Sequence, residues 1–407
     1  MNNKLKKYSG LSDTLILIFL TIQIAFVSIS IAVSSIAFGI WLGIFLIQII
    51  TKSTSGIPEL LQGELKYFNI FVLLYIFFEI LSRFFALYPD GAFSNLKRLL
   101  LFLIFYISVI KIKDFDALKK ILFINISVVS VISIVELIRY AMLFGGMVNE
   151  MPFSEIRIDY FNYPLTAGEI KMLSFLSVFP MIFIKENFPV SRKYLMLILL
   201  PVFISMILTQ SRNVFLAMFV CFVVYGITVN RKFLAAFLVV IILSWLILPA
   251  GLTKRFSSMT DLKHSSNSSR ISMWETGLKM FADHPFTGVA DSHILEIYST
   301  YKTPDTPGEG VHLHNNFIMI LATTGIFGFI SFTGIFLTVF LRQIKYYREI
   351  KDNTGKMLIL GSILAMISFQ ISGFFEWSFG DHEVMTVFFF LMAVPFVIKN
   401  TAGKAKV

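Results

Sequence analysis

The sequence predicts an all-α polytopic membrane protein: about twelve transmembrane helices in a single membrane domain over residues 1–407, with one large loop. Three observations carry this. Hydrophobic residues fill 56% of the 407 positions against 15% charged, and the mean hydropathy is +0.78, far from a soluble average. The apolar residues fall in runs close to the length a bilayer core demands. Lysine and arginine gather at alternate connections between those runs, as the positive-inside rule requires.

The chain begins with a basic patch, Lys4, Lys6 and Lys7, ahead of an apolar stretch from Leu11 to Ile50. That stretch is too long for a cleaved signal peptide and reads as two retained spans, Leu11–Ile29 and Ile31–Ile50. Further spans follow at Tyr67–Leu87, Leu96–Ile110, Leu118–Phe144, Leu165–Ile184 and Tyr194–Leu208. The rest are Asn213–Val229, Phe233–Pro249, Asn316–Leu341, Met357–Phe375 and Val384–Ile398. Basic residues at Lys52, Lys66, Lys111, Lys113, Arg231, Lys232, Arg342, Lys345 and Lys399 assign one set of connections to the cytoplasm, together with both termini. Residues 251–315, between the ninth and tenth spans, then form a loop outside the cytoplasm. The net charge of +10 reports this topology and points to no nucleic-acid partner. Cys221, the single cysteine, excludes an internal disulfide.

With that orientation, the charges inside the spans share one depth. Glu79 and Arg83, Glu136 and Arg139, and Glu169 and Lys171 all fall in outer halves, with Lys97 and Arg98 at the outer end of the fourth span. Pairing at i,i+4 and i,i+3 explains why such charges are tolerated but not why they share a depth. A polar chamber open to the outer face does. A transporter more often holds its site near the midplane, in broken helices.

The loop carries Lys254 and Arg255, a serine-rich run from His264 to Arg270, and an amphipathic pattern from Ile271 to Phe281. The spacing predicts a short helix capped by Ser268 or Ser269, with Arg270 at its head, over the chamber. A flexible Tyr301–Gly310 segment leads to VHLHNNFIMILATTGIFG at 311–328. There His314 meets a helix N-terminus capped by Asn315 or Asn316. Backbone N–H groups at such an end favour a neutral imidazole, the form a general base needs.

Arg212 closes a short outer hairpin, Thr-Gln-Ser-Arg. An interface anchor and a phosphate ligand are both open readings for it, as solvation is for Arg270. A metal pair at His312 and His314 is weakly signalled, because no helical HxxxH and no carboxylate cluster accompany them; no metal and no cofactor are expected. No nucleophile elbow, P-loop or dinucleotide fingerprint is present. One candidate base with arginines at the outer leaflet suits an anionic membrane-bound donor, such as a lipid-linked diphosphate sugar.

Three motifs in this order, LTQSRNVFLA at 208–217, SRISMWETGLKMFADHPFTGVA at 269–290 and HLHNNFIMILATTGIFG at 312–328, resemble the O-antigen ligase/O-antigen polymerase family of bacterial envelope glycosyltransferases. The ending FFEWSFGDHEV at 374–384 and a looser Tyr160-Phe-Asn-Tyr-Pro-Leu-Thr stretch are similar too. The resemblance implies a metal-independent, inverting transferase at the periplasmic face of the bacterial inner membrane. Its donor is an undecaprenyl-diphosphate glycan; its acceptor is a lipid A–core sugar in ligases, or another lipid-linked repeat in polymerases. The family's catalytic histidine falls on His314, and its diphosphate-binding arginines on Arg212 and Arg270. Asn316, Arg98, Lys171, Asp381 and Glu383 are candidate supporting residues. A non-enzymatic lipid or polysaccharide transporter is the alternative from another class.

Overall fold

Each of the expected spans falls on a helix in the computed structural model, which describes residues 3–53, 63–150, 156–186, 188–247, 265–303 and 310–404. Lys254, Arg255, His264 and residues 304–309 lie outside the described residues. The helices are α1 (Asn3–Phe26), α2 (Ile31–Ile50), α3 (Lys66–Phe84), α4 (Phe102–Lys111), α5 (Phe115–Glu150), α6 (Pro164–Val178) and α7 (Arg192–Leu208). After them come α8 (Arg212–Thr228), α9 (Arg231–Ile247), α10 (Ser265–Asp283), α11 (Ile294–Tyr301), α12 (Asn316–Glu349), α13 (Asn353–Gly373) and α14 (His382–Lys404). Seven helices among the described residues are long and apolar enough to cross a membrane, with shorter apolar helices at Gly10–Phe26 and Arg212–Thr228. This is a multi-pass membrane protein.

The helix starts follow local chemistry. Ser30 caps α2 by accepting from the Val33 amide at 3.3 Å, and Asp352 caps α13 by accepting from Gly355 at 2.6 Å. Pro164 opens α6, where its missing N–H costs nothing. Between the helices runs a continuous apolar core built on large rings such as Phe68, Phe105, Phe332, Phe369 and Phe388. In lipid such a core is held by close packing rather than by exclusion of water.

Several features differ from the sequence expectation. The fourth span opens with a 3-10 stretch, Ser94–Leu101, before α4. Helix α10 starts at Ser265, so the serine-rich run is helical and Arg270 sits in its second turn rather than at its head. Serine and asparagine are only mildly unfavourable in helices, and tertiary contact overrides them. Helix α11 was not expected. It packs with α10 through Met273, Met280, Ile294, Ile297 and Tyr298, a second small core that also takes in Leu313 and Met319.

The most consequential difference is a break in α12. Gly325 has φ +69° and ψ −173°, which interrupts the helix and strips its backbone groups of their partners. Residues 285–290 of the loop enter this gap. Ile326 donates to the Pro285 carbonyl at 2.8 Å, Val289 to Ala322 at 2.9 Å and Ala290 to Thr323 at 3.0 Å. Irregular backbone in a membrane helix survives only where protein supplies such partners. A Cβ on Gly325 would lie 2.5 Å from the Phe286 backbone, and one on Gly288 2.2 Å from that of Thr323. Both positions also need a left-handed φ, so glycine is required twice over.

The loop is locked a second time by charge. Asp291 pairs with Arg83 and Arg98, and both arginines also pair with Glu79. The expected Glu79–Arg83 pair is therefore half of a four-charge cluster tying the loop to α3 and the 94–101 stretch. Glu136 does not pair with Arg139. It accepts from Lys171 at 2.9 Å and from Ser205 at 2.8 Å, while Arg139 lies 4.0 Å over the Tyr160 ring.

Candidate active site

Two loops and two helix starts meet beneath α10. The first loop, Thr209–Ser211, joins α7 to α8 and puts Arg212 at the first position of α8. Gln210 has φ +52°, and the turn is braced by Arg157, whose Nε donates to the Thr209 carbonyl at 2.7 Å. Arg212 donates to the Ser266 hydroxyl of α10 at 2.7 Å.

The second meeting point is the start of α12. Asn315 caps it, accepting from Phe317 and Ile318 at 2.9 and 3.0 Å. The Asn315 amide also donates to the Phe374 carbonyl at 3.0 Å, and Asn316 accepts from the Phe379 amide at 3.0 Å. These two asparagines tether the 374–380 loop to the base of α12. The tether carries Glu376 under His314. His314 itself sits at φ +46°, a left-handed conformation uncommon for a residue with a side chain.

The result is a carboxylate–imidazole pair. Nδ1 of His314 lies 3.0 Å from both oxygens of Glu376, which fixes the proton on Nδ1 and leaves Nε2 as the accepting nitrogen. Arg270 lies 3.7 Å from the same carboxylate, and so does His312. Burial alone would raise the Glu376 carboxyl. The hydrogen bond and charge of His314, with His312 and Arg270, outweigh it and hold the group below the usual carboxylate range. Burial lowers the Arg270 guanidinium, with Glu376 opposing. His312 is pushed down to about 4 by burial first and by neighbouring His314 second.

His314, Glu376, Arg212 and Arg270 line one cavity of about 700 Å³, with Arg157, Glu169, Asn213 and Asp381 also on its walls. Glu169 accepts from Asn213, Ser372 and Ser378. Asp381 accepts from Thr166 at 2.6 Å and from the first amides of α14.

Of the residues predicted from sequence, the cavity brings together His314, Arg212, Arg270 and Asp381. Asn316 is fully buried behind it, Glu383 is not on its wall, and Lys171 is occupied by Glu136. Arg98 lines a neighbouring cavity, over Trp377 at 5.6 Å. Glu376 is the residue that sequence reasoning missed. It lies in the quoted 374–384 motif, yet nothing in its spacing points at a histidine 62 positions earlier. His312, His314 and Glu376 present ligand atoms within 4.8 Å of one another, close enough for a divalent cation. The Arg270 guanidinium beside the same carboxylate already supplies a positive charge there.

Fold and site together define a multi-pass membrane protein with a polar, arginine-lined cavity and a carboxylate-held histidine. A family model described as O-Antigen ligase matches residues 195–333, which contain Arg212, Arg270 and His314. The Teichuronic acid biosynthesis protein TuaE of Bacillus subtilis (strain 168) is 28% identical over 126 residues, covering 28% of this chain and 25% of that protein. The chain thus spans about a quarter of that relative's length. Over residues 195–333 the chain is therefore similar to the O-antigen ligase family.

Proposed function

We propose that the protein is a membrane glycosyltransferase that moves a glycan from undecaprenyl diphosphate to an acceptor hydroxyl, at the periplasmic face of the inner membrane. The observation that carries this reading is the single cavity in which the His314–Glu376 pair faces Arg212 and Arg270. His314 Nε2 takes the acceptor proton as the acceptor oxygen bonds to the anomeric carbon of the donor sugar. The bond from that carbon to the diphosphate oxygen breaks with inversion, and the lipid diphosphate leaves with the electron pair. Arg212 and Arg270 hold that developing charge; the planar guanidinium suits diphosphate better than a point charge does. Glu376 stabilises the imidazolium formed in the step. Asp381 and Glu169 present hydroxyl-binding oxygens to the sugars.

The first reading of the acceptor is a lipid A–core sugar, as the ligase description of the family suggests. The polymerase reading, in which the acceptor is another lipid-linked repeat, is favoured by the similarity to a teichuronic acid biosynthesis protein. Purified protein in liposomes should release undecaprenyl diphosphate from a lipid-linked glycan only when acceptor is present. A single addition to lipid A–core marks a ligase, and a ladder of repeats marks a polymerase. Transfer should survive chelation, because arginine handles the charge; loss in chelator with rescue by one divalent ion would make His312, His314 and Glu376 ligands instead. Donor that stays intact in the presence of every acceptor would exclude the transferase reading.

A further inference from the structure

The residues that orient the base also form a ligand set. Nδ1 of His314 lies 3.0 Å from the Glu376 carboxylate, and Nδ1 of His312 lies 3.7 Å from it. Zinc bonds of about 2.0–2.2 Å in a tetrahedron put neighbouring ligand atoms about 3.3–3.6 Å apart. The two separations bracket that edge, and ligand atoms of all three residues lie within 4.8 Å of one another. All three residues line the 700 Å³ cavity, which leaves room for an ion and a water on its fourth position.

His312 is the informative member. Its Nδ1 is buried and makes no hydrogen bond among the described residues, because 3.7 Å to Glu376 is too long for one. A buried polar atom without a partner is costly, and an ion between that nitrogen and the carboxylate satisfies both. Two imidazoles and one carboxylate suit Zn²⁺ rather than Mg²⁺ or Ca²⁺, which take oxygen ligands. Arg270, 3.7 Å from the same carboxylate, repels a second cation, so the ion is a reversible occupant and not a resident one.

We propose that His312, His314 and Glu376 bind Zn²⁺, and that the bound ion switches the transferase off. An ion on Nδ1 of His314 takes the place of the proton that faces Glu376. The ring's one proton then sits on Nε2, which no longer accepts a proton from the acceptor hydroxyl. Binding follows from the ligand geometry alone, whereas inhibition rests on the transferase reading above. The ion is an inhibitor rather than a cofactor, and transfer proceeds in chelator.

Calorimetric titration of Zn²⁺ into the metal-stripped full chain in detergent, beside a transfer assay at the same ion concentrations, tests this. One Zn²⁺ should bind per chain, and transfer should fall as the site fills and recover on chelation; Mg²⁺ should do neither. His312→Gln should weaken binding at least about ten-fold, since losing even an outer partner of a metal ligand costs about 10–100-fold. Inhibition, read against the variant's own zinc-free rate, should weaken with it. The His312 side chain is 31% exposed, so its replacement unpacks no core. Arg270→Gln removes the competing charge and should tighten binding, the opposite of what unfolding would do. Zn²⁺ bound equally by wild type and His312→Gln, or more weakly by both variants, overturns the site. Zn²⁺ that raises transfer overturns the inhibition. His312-dependent binding in a protein that transfers no glycan supports the site and overturns the transferase reading alone.

Discussion

Replacing Glu376 by glutamine separates the two functions its carboxylate serves. Glutamine keeps the shape and retains an acceptor for Nδ1 of His314, but it removes the charge. In the native site both oxygens lie 3.0 Å from Nδ1, and the side chain is only 11% exposed, so solvent screens little of that interaction. A hydrogen bond to a charged group contributes about 1.5–3 kcal/mol. With each 1.36 kcal/mol equal to a factor of ten in rate, Glu376→Gln should lower kcat roughly ten- to 150-fold. Arg270 loses its 3.7 Å counter-charge at the same time and should hold the donor diphosphate no more weakly than before. The assay is steady-state release of undecaprenyl diphosphate from a lipid-linked donor, with kcat and donor KM read separately. A variant with wild-type kcat, or one whose whole effect lies in a raised donor KM, would refute the orientation of His314 by Glu376.

The arginines make a complementary case: Arg212→Lys and Arg270→Lys keep charge but lose the fork, and each should cost about ten- to a hundred-fold in kcat/KM. Two lysine variants that behave as wild type would reduce these residues to interface anchors. His312, ordinarily near 6.5 and here pushed to about 4, gives a pH signature. Between those values an unfolded chain binds a proton that the folded one does not, so this group lowers stability as pH falls from about 6.5 toward 4. His312→Gln should therefore gain thermal stability relative to wild type on acidification from pH ~7.5 to ~4.5, and an unchanged difference in unfolding midpoint would contradict this. For topology, Lys302→Cys in a Cys221→Ala background should react with an impermeant thiol reagent in cells with a permeabilised outer membrane, and Lys351→Cys should not. The reverse pattern would overturn the orientation.

Hydropathy alone located the helices of the expected spans, because a span needs about twenty apolar residues and little else can supply them. The short loop helix Ile294–Tyr301 carries no such signal. The candidate site was legible where its residues share a short motif: the asparagine cap beside His314 reads directly from HLHNN. It was illegible where it depends on pairing across the fold. Glu376 reaches His314 because Asn315 and Asn316 tether a distant loop, and no local pattern encodes that contact. The same holds for Lys171, which its sequence position groups with Glu169 but which packing gives to Glu136. The break in α12 at Gly325 was illegible for the same reason: it exists because a distant loop fills it.

The central claim is that His314 is the base for the acceptor hydroxyl, and His314→Ala tests it most directly. Transfer and donor binding should be measured on the same purified, correctly inserted protein. Transfer should fall on the order of 100- to 10,000-fold, the typical cost of losing a general base, while undecaprenyl-diphosphate donor binds as to wild type. A His314→Ala protein that still transfers glycan at near-normal rate would contradict the account.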